Sequence, residues 1–191
     1  MEDINVAAFL LINRHAGESA WLDALAIVAA EIMPYLFMLV LVALWSSPEP
    51  ARKKASLKAG CAVLLGLGAS YTVSLFYFHP RPFMQHLGNG LLSHAPDASF
   101  PSDHTTFLFS IAFVLALECR TRALGCALLG LGLAGGLARV FIGVHFPLDI
   151  FGAALVGLLA ACVMQVCNNA ASRPGRVLDA LAGIRLPGMH R

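Results

Sequence analysis

The chain has 191 residues, of which 58% are hydrophobic and only 13% charged, with a formal net charge of +2. Ordinary soluble domains carry about 25% charged residues, so this composition, with a mean hydropathy of +0.74, excludes a water-soluble domain. It implies an all-α, polytopic transmembrane helix bundle, for which no nucleic-acid partner is expected.

The first residues, "MEDINVAAFLLINR", open with Glu2 and Asp3 in place of a basic region and have no small-residue cleavage site. They read as a short amphipathic helix at the membrane surface, not as a signal peptide. Five apolar segments follow, each near the roughly 17–25 residues that a spanning helix needs. The first covers residues 22–45 and contains Asp23 and Glu31; the second covers about 55–78, with Lys58 near its start. The third, 102–119, is uncharged only over 105–117, the fourth, 123–138, runs into Arg139, and the fifth covers 150–167. Connections such as "SSPEPARKK" and "ECRTR" are short and no repeat is visible, so residues 1–191 are expected to form one membrane-embedded domain. The five cysteines are odd in number and lack metal-ligand spacing, which fits small apolar helix residues.

Alternating the spans places Arg52, Lys53, Lys54, Lys58, Arg120, Arg122, Arg173, Arg176, Arg185 and Arg191 on one side, ten of the thirteen Lys and Arg residues. The positive-inside rule makes that side cytoplasmic. The basic tail, 168–191, is then expected on anionic cytoplasmic headgroups. Arg14, Arg81 and Arg139 fall on the outer side with all histidines except His190.

Three clusters meet at that outer level: "HPRPF" after the second span, "PSDH" before the third, and "ARVFIGVHFPLD" between the fourth and fifth. In the last, Arg139 and His145 are six residues apart, about 240° around a continuous helix, so the chain is expected to bend between them. Gly143 permits the bend, and Pro147 suits the first turn of a new helix. His145 then lies just before that helix and Asp149 just inside it. Two readings fit: Asp149 orients the imidazole and leaves its other nitrogen free as nucleophile or base, or Arg139 and Asp149 form an interfacial ion pair beside a bystander histidine. In "PSDH", Ser102 is a candidate N-cap, and the helix it starts aims free N–H groups outward, where an anion binds. His104 lies in the first turn. A plain capped helix with a polar first turn, Asp103 included, also fits.

Arginine donates in pairs to tetrahedral oxyanions, and ionisable groups at membrane depth are costly enough to point to function. Arg81, Arg139 and the Ser102 helix terminus therefore read as a phosphate clamp. His145 reads as the attacking group, oriented by Asp149, and His104 as the proton donor to the leaving oxygen.

These residues resemble the type 2 phosphatidic acid phosphatase superfamily of membrane lipid phosphatases over about 74–149. Arg81-Pro82 matches the end of its first motif, Pro101-Ser102-Asp103-His104 its second, and Arg139, His145 and Asp149 its third. The resemblance implies a phosphohistidine on His145, protonation by His104, phosphate contacts from Arg81, Arg139 and Ser102, a catalytic core of about 74–150, and no metal or other cofactor. Ser74 stands where the family usually has lysine, Asp103 replaces a glycine and Ala138 a serine. The five spans, Arg81-Pro82-Phe83 and Asp103 are most similar to the bacterial undecaprenyl-diphosphatase branch, of the bacitracin-resistance type. That branch implies a role in recycling the lipid carrier of peptidoglycan biosynthesis, in the inner membrane with the site on the periplasmic or outer face.

A lipid substrate, isoprenoid or phospholipid, is expected on physical grounds as well. Thirteen uncharged residues in the third span make about 20 Å of helix, short of the roughly 30 Å hydrocarbon core, so "PSDH" sits at or below headgroup level. Glu31 either lines the lipid or phosphate cavity or hydrogen-bonds a neighbouring helix. His79, His86 and His94 read as solvated loop residues. The rival readings are a phosphatidylglycerophosphate or phosphatidic acid phosphatase and a small lipid transporter, the latter disfavoured because the polar groups gather at one end. A metal hydrolase using His104, His145 and Asp149 is disfavoured by the two arginines, which repel a cation. The oligomeric state is left open.

Overall fold

The computed structural model describes residues 2–167 and 173–183. The described residues form seven α-helices: α1 (Glu2–Asn13), α2 (Ala20–Trp45), α3 (Pro50–Phe76), α4 (Asp103–Leu117), α5 (Arg122–Phe141), α6 (Pro147–Cys167) and α7 (Arg173–Leu181), with one 3-10 turn at Pro82–Gln85. Four of them, α2, α3, α5 and α6, are long and apolar enough to cross a membrane. The chain is a multi-pass membrane protein.

The third expected span is α4, of 15 residues, a few residues short of a full crossing. It is the central helix. Nine of its residues are buried, and its side chains Ile111, Ala112, Val114 and Leu115 meet Phe37 of α2, Ala59 and Ala62 of α3 and Ala161 of α6 in the main core. A helix wrapped by others is matched to its protein neighbours, so it need not match the bilayer. Close approach is secured by small residues: a Cβ on Gly157 of α6 would stand 2.8 Å from the Ser110 amide nitrogen of α4. The outward faces stay apolar, as Trp21, Leu25, Val28 and Leu39 on α2 and Leu64 and Phe76 on α3 illustrate.

At the end carrying α7, Lys58 is fully buried and paired with Glu118, and it also donates to Gln165 Oε1 at 2.7 Å. This one side chain ties α3, the end of α4 and α6. Lys54 pairs with Asp179 and anchors α7 on α3. The expected headgroup contacts of the tail lie partly on residues 168–172 and 184–191, outside the described residues.

At the opposite end, α1 lies against α5 and α6 and is fixed by two buried asparagines. Asn13 Nδ2 donates to the carbonyls of Asn89 and Phe141 at 2.8 and 2.7 Å, and its Oδ1 accepts from the Asn89 amide. Asn5 Oδ1 accepts from the Leu148 amide in the first turn of α6, a donor with no partner inside the helix. The α3–α4 loop is also held on the α5–α6 bend, where the Leu91 amide donates to Ile142 O. Gly143 makes the bend with φ +87°, and a Cβ there would stand 2.7 Å from Asn89 O.

Candidate active site

The expected break between Arg139 and His145 is present. α5 ends at Phe141 and α6 begins at Pro147, whose fixed φ and missing N–H suit the first helical position. Asp149, three residues past Phe146, reaches back to the Phe146 amide through Oδ2 at 2.7 Å. This is the acid half of a capping box, so the local sequence "HFPLD" itself holds the carboxylate under the imidazole. His145 Nδ1 lies 3.3 Å from the same oxygen, and Ser99 donates its hydroxyl to it as well.

The other ring nitrogen, His145 Nε2, faces Arg81, whose Nη1 donates at 3.0 Å. A guanidinium can only donate, so Nε2 carries the lone pair and the ring proton sits on Nδ1, toward Asp149. The histidine is 1% exposed. Burial pushes its pKa down to about 4, with Arg81 and Arg139 adding to the effect and the Asp149 hydrogen bond opposing it. A neutral imidazole with its lone pair on a guanidinium could act as a nucleophile once an anion draws that guanidinium away.

Arg81 leads into the 3-10 turn, with buried Pro82 as the first residue of that turn. Its Nη1 also donates to Val144 O at 3.0 Å, and its Nε donates to Asp97 Oδ1 at 2.6 Å. Arg139 is 2% exposed and holds Glu31 Oε1 and Ala30 O at 3.3 and 3.4 Å through Nη1. Its buried Nε has no hydrogen-bond partner. A buried guanidinium with an unused N–H and one long ion pair has a donor that could serve an incoming anion.

α4 begins at Asp103 as expected, with Ser102 at the N-cap position, but the Ser102 hydroxyl makes no cap bond. It pairs with Thr105 Oγ1 at 3.0 Å, while the Ser102 amide donates to Asp149 O at 3.3 Å. That leaves the first-turn amides of α4 uncapped by side chains. Asp103 is exposed and His104 half-buried; both feel the charges of Arg81 and Arg139. They also line a groove of about 210 Å³ with Pro34, Leu67 and Phe107, from α2, α3 and α4.

The structure thus brings Arg81, His145 and Asp149 into direct hydrogen-bonded contact and sets Arg139 and His104 in their field. Of the two readings of the third cluster, the Arg139–Asp149 ion pair does not form; Arg139 takes Glu31, which the sequence left between two roles. Ser74 spends its hydroxyl on Tyr71 O within its own helix. Sequence reasoning missed Asp97 and Ser99, which hold Arg81 and Asp149. The reading of His79 as a solvated loop residue is corrected: its side chain is 12% exposed, with its ring edge-on to Phe146 at 5.3 Å. The signal was its place two residues before Arg81, in the segment that delivers Arg81 to the site. Among the described residues, no three His, Cys, Asp or Glu side chains stand close enough to share a metal ion.

The sequence profile of the PAP2 superfamily matches residues 55–173. The chain is 35% identical over 156 residues to the undecaprenyl-diphosphatase BcrC of Bacillus subtilis (strain 168), covering 82% of this chain and 80% of that protein. It is also 35% identical over 167 residues to the putative undecaprenyl-diphosphatase YbjG of Escherichia coli (strain K12), covering 87% and 83%. Among solved structures it is similar to Aquifex aeolicus LpxE, with a TM-score of 0.73 and 27% identity over 85% of this chain and 95% of that one.

Proposed function

The chain belongs to the PAP2 superfamily of membrane phosphatases, and on that premise we propose that it hydrolyses undecaprenyl diphosphate to undecaprenyl phosphate and inorganic phosphate through a phosphohistidine. The observation that carries the reading is the line Arg81 Nη1–His145 Nε2–His145 Nδ1–Asp149 Oδ2, with Arg139 Nε unpartnered beside it. In the first step, Arg81, Arg139 and the α4 N-terminus hold the terminal phosphate. Nε2 attacks phosphorus, the bond to the bridging oxygen breaks, and His104 gives that oxygen its proton. Asp149 stabilises the charge that develops on the imidazole by accepting from Nδ1. In the second step, water attacks the phosphohistidine, gives a proton to His104 and releases inorganic phosphate, which restores both histidines.

A lipid phosphate is favoured because the groove at His104 is walled by Pro34, Leu67 and Phe107, an apolar lining suited to a hydrocarbon tail. The two similar proteins named as undecaprenyl-diphosphatases favour the diphosphate. Lys53, Lys54, Arg120 and Arg122 sit at the end away from His145, and by the positive-inside rule they favour a site on the outer face of a bacterial inner membrane. Purified protein with undecaprenyl diphosphate, phosphatidylglycerophosphate and phosphatidic acid, each assayed for phosphate release, tests the substrate. Undecaprenyl diphosphate is expected to turn over fastest; a faster phospholipid would overturn the substrate, and full activity in His145→Ala would overturn the mechanism.

A further inference from the structure

Asp149 uses only one of its oxygens in the cluster described above. Oδ2 accepts from His145 Nδ1, Ser99 Oγ and the Phe146 amide, whereas Oδ1 is buried with no hydrogen-bond partner. A buried carboxylate oxygen left without a donor is costly. His79 Nδ1 stands 3.8 Å from it and is likewise buried with no hydrogen-bond partner. Both line one cavity of about 290 Å³, on the α1 side, with Glu2, Asn5, Tyr77, Phe100 and Leu148.

The imidazole of His79 is held in place from several directions. It stacks on Tyr77 at an interplanar angle of 7° and meets Phe146 edge-on. Its Nε2 lies 3.3 Å from Glu2 Oε1, a hydrogen bond that coexists with an Nδ1–H donor only when the ring carries both protons. Its backbone carbonyl accepts from the Ser99 amide at 2.8 Å, the same serine whose hydroxyl binds Asp149. At 3.8 Å Nδ1 and Oδ1 stand beyond hydrogen-bond length, so the ring must move toward Asp149 to close the gap.

We propose that His79 is a positioning residue that grips the second oxygen of Asp149, its Nδ1–H donating to Oδ1, so that the carboxylate is held at both oxygens and keeps His145 in the Nδ1-protonated tautomer. This rests on His145 being the attacking group. The phosphate arrives on the opposite side of the His145 ring, at Nε2, so His79 acts on turnover and not on phosphate binding.

The test separates the donor from the ring. His79→Phe keeps an aromatic ring and removes the donor; His79→Asn removes the ring but puts an amide N–H near the place of Nδ1. Purified variants are assayed on undecaprenyl diphosphate and, in parallel, on phosphatidic acid, with thermal unfolding in detergent as a check on folding. Partners that orient metal-ligating side chains change affinity or activity by about 10–100-fold, and by analogy His79→Phe is expected to lower kcat about tenfold with KM unchanged. His79→Asn is expected within about twofold of the native rate. An Asn variant no faster than the Phe variant, a Phe variant at the native rate, or a loss carried by KM alone overturns the proposal. Loss of activity in His145→Ala beside a fully active His79→Phe would overturn only the role of His79, whereas activity retained in His145→Ala would overturn the mechanism on which it rests. Turnover of phosphatidic acid alone would change the substrate and leave the His79 comparison readable.

Discussion

Arg139 and Glu31 meet at 3.3 Å across α5 and α2, with the arginine 2% and the glutamate 48% exposed. The pair sets a half-exposed carboxylate against a buried guanidinium.

On the proposed mechanism, an incoming phosphate competes with Glu31 for Arg139. Glu31→Gln removes the competing charge and is expected to tighten inhibition by inorganic phosphate about tenfold, equivalent to about 1.4 kcal/mol, and to lower KM in the same direction. Inhibition constants measured on the two proteins check this, and an unchanged or weaker constant in the variant contradicts it.

Asp149→Asn keeps an oxygen for the Phe146 amide, so the first turn of α6 should survive. That oxygen still accepts from His145 Nδ1–H, because both donors share Oδ2, but the charge that compensates the developing imidazolium is lost and an N–H₂ takes the place of Oδ1 beside His79. By comparison with carboxylate-to-amide changes beside other catalytic imidazoles, kcat should fall by roughly 10²–10⁴. Acid-resistant thermal stability combined with near-native turnover in this variant would remove Asp149 from the mechanism.

The pH dependence follows from the His145 pKa of about 4, below the ordinary value of about 6.5. Above about pH 4 the folded enzyme keeps Nε2 unprotonated, so the acid limb of kcat/KM due to this group is expected well below pH 6.5. Arg81→Gln removes a cation that lowers this pKa and should move the limb upward, on a reduced overall rate. The same shift lowers stability as pH falls from about 6.5 toward 4, because the unfolded histidine binds its proton first. A native acid limb at or above 6.5, once substrate ionisation is allowed for, is incompatible with this account.

Lys58 is fully buried against Glu118 and Gln165, at the end of the bundle away from His145. Lys58→Ala leaves a carboxylate and an amide without their donor and should cost about 2 kcal/mol. That is less than the roughly 3–5 kcal/mol of a fully enclosed pair, because Glu118 keeps 29% of its side-chain surface exposed. Thermal unfolding in detergent reads the loss, while turnover per folded molecule at low temperature should stay near the native value.

Much of this protein is determined by the sequence alone, wherever the determinant is local. Run length and the absence of charge define the membrane helices, since each must satisfy its own backbone in lipid. The placement of Arg81, Ser102 and Arg139 at span ends brings them to one level without any knowledge of packing. The order Gly143, His145, Pro147, Asp149 contains its own bend, helix start and capping acid, so His145 and Asp149 were legible as a pair. Tertiary structure alone decided which charge answers which. Arg139 takes Glu31, 108 residues away, and Arg81 meets His145, 64 residues away. Such choices depend on how each helix is rotated about its axis and on the path of the loop between α3 and α4, which side-chain packing sets and no periodicity encodes. The same loop carries Asp97, Ser99 and His79 into the site, because Asn13 and the Ile142 carbonyl hold it down on the α5–α6 bend.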